Sequence, residues 1–524
     1  MSRRLLSTAV PALFGLVLAV FLVWPLVEGA RGALFDARGT PTLAYLIDVF
    51  RNPTTVEGFA NALAVGVLST LVAATIGTGT AVLIDRFDFP AKRILTLLVP
   101  LPLIVPPFVG AIGIRQILGQ TGALNALLVH IPWTGFDPAH PVDWLRHGRF
   151  ATVVGLTALH LYPIVYFNAS AALGGINVEM EEAARTLGCG PVRSFWKITL
   201  PLISPSLFAA CSIVFIWGLT ELGVPLVCDY TRITSVQIYS GLKEMGRNPT
   251  VYALVMVVLV VTVALYAGSR MLFRQRGRSL GQKGVRLRRA RRLGPLGSAG
   301  VVLALGSVFG LAALPNISVV LVALARDWYG TVLPSSFTLD HFRAALAHDM
   351  VVSSIGNSLR TVALSTTFDL MLGTGIAYLV VRTRSRGAQL LDAVAMLPLA
   401  VPGLVMAFGY LAISREGRPL AFLNPIRDPT ALLVIAYTIR RLPFVVRSST
   451  AGLQQIDVAL EEAAASLGAS RARDVAAARA ASGGGRRLRV RPVHAGGVRL
   501  SDSRPEGIDL SDHQGHLRAV SIAG

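Results

Sequence analysis

Charge is scarce in this chain: of 524 residues only 15% are Asp, Glu, Lys or Arg, whereas 53% are hydrophobic. A soluble protein of that length would need far more polar surface to cover its core, so the composition excludes a soluble globular protein and places the chain in a membrane. Acidic residues are the scarcer sign, Asp+Glu 29 against Lys+Arg 49, for a formal charge of +20. In a soluble domain that balance would suggest nucleic acid. Here the basic residues fall between apolar stretches, where membrane topology explains them, and no nucleic-acid partner is expected. The three cysteines, Cys189, Cys211 and Cys228, lie in different segments with neither C-x-x-C spacing nor a paired His, so no metal site or redox pair is expected. A phosphate-binding G-x-x-x-x-G-K-[ST] run is missing too, since Gly277 to Lys283 has the wrong spacing. H-E-x-x-H, G-x-S-x-G and an intramembrane carboxylate pair are likewise absent, which argues against a membrane-embedded hydrolase. The chain is therefore expected to be no enzyme, to bind no cofactor, and to depend on a separate ATPase for any energy it uses.

Long apolar runs are abundant. Crossing a bilayer takes about 20 mostly apolar residues, and six runs occur at 8–28, 60–84, 94–118, 151–173, 202–223 and 250–273, then four at 299–325, 355–381, 390–413 and 430–447. The first, Thr8 to Val27, follows Arg3 and Arg4 as in a signal peptide. It is long and has no small-x-small cleavage site, so it reads as a retained first helix. With the amino terminus inside, Arg86, Lys92 and Arg93 fall inside, as do Arg185, Arg193 and Lys197, the basic run Arg270 to Arg292, and Arg382, Arg384 and Arg386. The stretch 274–298, basic and carrying Gly277, Gly281, Gly284 and Pro295, reads as a cytoplasmic linker next to anionic lipid.

The two sides of that linker are copies. Aligning Asn61-Ala-Leu with Asn357-Ser-Leu pairs Ser69-Thr70 with Ser365-Thr366, Gly77 with Gly373, Arg86 with Arg382, and Pro102 and Pro106 with Pro398 and Pro402, at a constant offset of 296. Further on, Ile176 to Gly188 matches Ile456 to Gly468 at an offset of 280, the difference falling in the external loop. The expected organisation is a first half over 1–273 with six membrane helices, the linker 274–298, and a second half over 299–473 with four. Each copy begins and ends inside, which suits two pseudo-equivalent halves around a central pathway.

On the inner side, between the fourth and fifth helices, lies Glu181-Glu182-Ala183-Ala184-Arg185-Thr186-Leu187-Gly188, followed by Ile198-Thr199-Leu200-Pro201. The spacing is E-A-A, three residues, G, nine residues, I-x-L-P. It predicts a short helix from Glu181 to Leu187, stopped by Gly188 as a C-terminal cap, with Pro201 opening the next membrane helix. This loop, 176–201, with its partial copy at 456–473, resembles the EAA loop of permease subunits of binding-protein-dependent ABC importers of the type I fold. The resemblance covers roughly 1–473 and implies an all-α integral membrane protein made of two tandem copies of that fold, the second incomplete. It implies that Glu181, Glu182, Ala183, Ala184 and Gly188, and in the second copy Glu461, Glu462, Ala463, Ala464 and Gly468, couple the chain to ATP-binding subunits. It also implies an extracellular or periplasmic binding protein and a bacterial inner-membrane location. With Thr220 to Leu226 (TELGVPL) and Gln237-Ile238-Tyr239, the fused layout is similar to ferric-iron importer permeases, with polyamine, thiamine and phosphonate permeases as near alternatives. A passive channel or receptor-like membrane protein, for which the loops would be surface decoration, is the reading from another class.

The pathway itself is less distinct. Pro100, Pro102, Pro106 and Pro107, with Pro398 and Pro402 in the copy, predict a broken third helix in each half, and broken helices occur where backbone lines a cavity or is buried in protein. Glu221 either faces the pathway or sits in water at a helix end. His160, with Tyr162 and Pro163, reads as a pathway group or as an ordinary interhelical hydrogen bond. After Arg473 the copy stops: the positions of I-x-L-P read Ala478-Arg479-Ala480-Ala481, and 474–524 is rich in Arg, Gly and Ala with no run able to span. A shifted reading frame near 474 explains this most simply, a genuine basic tail is the alternative, and in either case 474–524 is expected to have no packed core.

Overall fold

A computed structural model describes residues 3–36, 38–131, 136–242, 249–273, 290–383 and 385–455. Everything below concerns the compact unit Met1–Ala451; of the second unit, Gly452–Gly524, only 452–455 are described. The linker residues 274–289, the second EAA loop at 456–473 and the tail 474–524 lie outside the described residues.

The apolar runs fold as helices, the one open-ended structure that satisfies all its backbone groups internally in lipid. They are α1 (Val10–Leu34), α2 (Pro53–Arg86), α3 (Lys92–Ile104), α4 (Pro107–Val129), α5 (Arg149–Gly174), the short α6 (Val178–Thr186), α7 (Pro191–Val227), α8 (Thr250–Phe273), α9 (Pro295–Leu324), α10 (Asp349–Thr383), α11 (Arg386–Leu399), α12 (Gly403–Ile413) and α13 (Thr430–Gln454). Among the described residues seven are long and apolar enough to cross a membrane, and the bent pairs α3/α4 and α11/α12 raise the number to nine if each pair is one span. The pairs bend by 97° and 107° at the proline positions, Pro106 and Pro402, that precede α4 and α12. Proline cannot donate a backbone N–H and biases the preceding residue away from the helical region.

Three expectations need correction. The run 430–447 is helical but is not among the apolar spans, because α13 carries Arg440, Arg441 and Arg447. The return from the EAA loop starts at Pro191, not Pro201, and passes through a π-helical turn at Phe195–Thr199. Finally, α9 begins at Pro295, inside the stretch expected as linker, and just before it Arg291–Arg292 (β2) pairs in parallel with Phe87–Asp88 (β1) at the end of α2.

The copies are equivalent in contact as well as in sequence. A Cβ placed on Gly77 would lie 2.7 Å from the Val165 Cβ, and one placed on the matching Gly373 would lie 2.6 Å from the matching Val445. Both glycines thus let α2 on α5, and α10 on α13, approach at the same rung. Pro163 and Pro443 also interrupt α5 and α13 at matching positions. In the first half α7 additionally packs on α2. Against α10 no described element stands in that place, and Leu359, Phe368 and Met371 are exposed.

The first helix of each half packs on the other half, an exchange that nothing in the linear pattern indicates. Helix α1 lies against α12, where a Cβ on Gly409 would sit 2.6 Å from the Pro25 carbonyl oxygen. Pro25 cannot donate to the Phe21 carbonyl one turn earlier, and the Tyr410 hydroxyl donates to that oxygen instead, at 2.8 Å. In the mirror contact α9 lies against α4, Gly113 closes on the Pro315 carbonyl, and the Ser318 hydroxyl donates to the Gly113 carbonyl at 2.9 Å.

Candidate functional site

Helix α6 is built by local signals. The Asn177 side chain caps it by accepting from the Glu179 N–H at 3.0 Å, and Glu179 and Glu181 stand in its first turn, where the helix dipole favours negative charge. It ends in a Schellman motif: Cys189 N–H donates to the Ala184 carbonyl at 2.9 Å and Gly188 N–H to the Arg185 carbonyl at 3.0 Å. Gly188 takes φ +78°, the left-handed region that glycine enters at no steric cost.

The two faces of α6 differ. Glu181 and Ala184, one turn apart, point into the protein, whereas Glu182, Ala183, Arg185, Thr186, Leu187 and Gly188 are exposed. The Glu181 side chain is only 3% exposed and pairs with Arg86 from the end of α2, Oε1 to Nη2 at 3.2 Å. The same Arg86 nitrogen donates to the Thr199 hydroxyl at 2.8 Å, and that hydroxyl donates to Glu181 Oε1 at 2.9 Å. The guanidinium also stands over the Phe195 ring, 5.8 Å from its centroid. One buried cluster therefore ties α6 to α2 and to the π-turn of α7. The resemblance groups Glu181 with the coupling residues, and the linear sequence gives Arg86 and Thr199 no role beside it. The available signal was the recurrence of Arg86 and Glu181 as Arg382 and Glu461 in the copy.

Outward, beside the charged Glu182 and Arg185, α6 presents Ala183, Gly188 with open space around its Cα, and at its tip Leu187, 87% exposed. Val192 and Trp196 are exposed beyond it. An ordered helix with an apolar tip, locked from behind and uncovered in front, is suited to seat in a cleft of another protein. The copies Glu461, Glu462, Ala463, Ala464 and Gly468 lie outside the described residues.

Of the groups read as pathway candidates, Pro102 and Pro106 line a narrow crevice closed by Pro315 and Asn316 of α9. His160 Nδ1 lies 2.7 Å from the Pro102 carbonyl oxygen, an interhelical hydrogen bond. Its repeat partner Arg440 donates to the equivalent Pro398 carbonyl at 2.7 Å and to the Val401 carbonyl at 2.6 Å. Pro398 borders a cavity of about 360 Å³ with Trp217, Glu221, Arg440 and Arg441, and Pro402 is buried beside it. Glu221 stands half-buried at the break between the helical segments that end at Leu219 and begin at Gly223, where its Oε1 accepts from the N–H groups of Gly223 and Val224 at 3.0 and 3.3 Å. Among the described residues no group of three or more His, Cys, Asp or Glu could hold a metal ion.

The chain is similar to a putative ferric transport system permease protein of Haemophilus influenzae, 26% identical over 454 residues, covering 81% of this chain and 64% of that protein. It is 25% identical over 424 residues to an Fe(3+)-transport system permease protein of the same organism, covering 80% and 75%. A probable molybdenum ABC transporter permease protein of Haloferax volcanii is 29% identical over 264 residues, covering 50% of this chain and 91% of that one. The chain thus spans less than two thirds of the length of the first of these relatives. The model of the binding-protein-dependent transport system inner membrane component family matches residues 5–277. With its helical spans, its repeat and the loop at α6, the chain belongs to that family, and its fold is the all-helical membrane fold of type I importer permeases.

Proposed function

We propose that the chain is the permease subunit of an ABC importer, with ferric iron as the leading cargo and a separate ATP-binding pair as its engine. The observation that carries this reading is α6: a capped helix whose inner face is clamped by Arg86, Glu181 and Thr199 and whose outer face, Glu182, Ala183, Leu187 and Gly188, is open. An ATPase pair closing on ATP moves α6, and the clamp passes that motion to α2 and α7. The halves rock against each other and expose the pathway alternately to the two sides. A binding protein outside delivers the cargo, the amino terminus lies in the cytoplasm, and the membrane is the bacterial inner membrane. The residues Glu461, Glu462, Ala463, Ala464 and Gly468 are the second contact to the ATPase pair. Iron is favoured by the ferric permease relatives, which match most of the chain; the molybdenum permease relative favours an oxyanion as the second reading.

Gly188 gives the sharpest test. No atom of the described residues lies within 4 Å of where its Cβ would be, so a Cβ there has open space around it. Asparagine tolerates the left-handed region better than other residues, while aspartate brings the same bulk with a charge. Gly188→Asn and Gly188→Asp should both insert and melt like the parent, within about 1–2 kcal/mol, yet lose capture of the cognate ATP-binding subunit, aspartate the more completely. Normal capture and ATPase stimulation in both variants would remove the docking role from α6.

A further inference from the structure

A cavity of about 360 Å³ between the Trp217–Leu222 part of α7 and the helices α11, α12 and α13 is lined by two adjacent arginines. It is lined on one side by Trp217, Thr220 and Glu221, and on the other by Pro398, Arg440 and Arg441. Arg440 stands ten residues after the start of α13 at Thr430. At 1.5 Å per residue that is about 15 Å along the helix. A guanidinium among membrane helices is tolerated when it faces a cavity or a protein partner and commonly marks the route of a substrate. The first half has His160 and Leu161 at the matching positions, so the paired arginines are specific to the second half and are not demanded by the repeat.

The neighbouring groups set the sign of the site. Arg440 spends Nη1 on the carbonyls of Pro398 and Val401, two neutral acceptors, so its positive charge is held in place without being cancelled. Arg441 lines the cavity and is exposed. The one lining carboxylate, Glu221, already accepts two backbone N–H groups at the start of the following helical turn, Gly223–Val227. Asp369 on α10, the other acid of this region, is buried and does not line the cavity, but it is near enough to Arg441 to attract its guanidinium and offset part of that charge, leaving Arg440 as the uncompensated one. A bare ferric ion finds no set of oxygen ligands here and meets two guanidinium groups. An oxyanion, or an iron carried inside an anionic complex, finds planar N–H donors suited to bidentate binding.

We infer that this cavity is an anion-binding station in the pathway, and that the cargo passes Arg440 and Arg441 carrying net negative charge, as a free oxyanion or as a ferric complex with an anionic chelator. The inference rests on the importer reading and narrows its substrate class.

The test is equilibrium dialysis of the full chain in phosphatidylcholine nanodiscs against labelled molybdate, sulfate, inorganic phosphate and ferric citrate, with lanthanum(III) as a bare trivalent cation. Saturable binding of an oxyanion or of ferric citrate is expected, weakened about tenfold in Arg441→Gln, with no saturable lanthanum binding. Arg440→Lys, which keeps the charge but loses the fork that holds the two carbonyls, should weaken it less. Binding of the oxyanions alone identifies the free anion as cargo, and binding of ferric citrate alone identifies the complex. No saturable anion binding by the parent chain, equal binding by an Arg441→Gln variant that melts like the parent, or lanthanum binding that rises when Arg441 is removed would each overturn the inference. Capture of the ATP-binding subunit by the same preparations is scored separately. Capture without anion binding rejects the cavity and leaves the importer reading standing; anion binding without capture does the reverse.

Discussion

Replacing Arg86 with methionine is expected to cost the chain about 3–5 kcal/mol of stability, because it leaves the Glu181 carboxylate buried without its cation. Thermal melting in detergent would register this as a drop well beyond that of an exposed control such as Arg38→Met. The loss should be larger in coupling than in folding: with the clamp gone, α6 is still capped by Asn177 and Gly188, but it no longer bears on α2 and the π-turn at Phe195–Thr199. ATPase stimulation should therefore fall by about tenfold or more even where the ATP-binding subunit is still captured, taking the loss of at least 1.4 kcal/mol of the coupling energy as the yardstick. The double variant Arg86→Met with Glu181→Met should regain most of the stability, since removing both charges of a buried pair is often neutral, and should not regain the stimulation. Recovery of both together would make the clamp a packing element only.

The second large effect is expected at the exchanged first helices. In Gly409→Leu the new side chain meets the Pro25 backbone, which cannot swing away as a flexible side chain can. Overpacking of this kind costs typically about 1–3 kcal/mol, and here it also displaces the Tyr410 hydroxyl from the Phe21 carbonyl that Pro25 leaves without a donor. Gly113→Leu should behave alike against Pro315. Gly155→Leu, with nothing within 4 Å of its Cα substituent, is the matched control and should melt like the parent. Equal melting temperatures in all three would mean that α1 and α9 do not pack across the halves as described.

Much of this architecture is legible in the sequence, for identifiable reasons. Apolar runs report helices directly, since lipid leaves the backbone no other open-ended solution. The repeat at offsets of 296 and 280 reaches down to single contacts, Gly77 with Val165 and Gly373 with Val445, because each glycine exists to admit its neighbour. The prolines at 106 and 402 announce the breaks before α4 and α12. The exchange of first helices is not legible: Gly113 and Pro315 are ordinary residues of their own helices, and only their meeting, across some two hundred positions, gives them meaning. The two faces of α6 are hidden for a similar reason. Glu181 and Glu182 are adjacent and chemically identical, and only the position of Arg86 at the end of another helix decides which of them turns inward. Arg440 is the converse case, a charge that interrupts the apolar run of α13 and stands at a cavity.

The central claim, that α6 is the contact through which an ATP-binding subunit drives this permease, is tested most directly by site-specific cross-linking. In a chain with Cys189, Cys211 and Cys228 replaced by serine, a single Leu187→Cys carries the thiol at the exposed tip of α6. Mixed with the cognate ATP-binding subunit bearing a short bifunctional reagent, this chain should form a covalent complex whose yield changes when ATP is added, while a thiol at Glu181, turned inward, forms none. Equal labelling at both positions, or a cross-linked partner only at sites away from α6, would contradict the account.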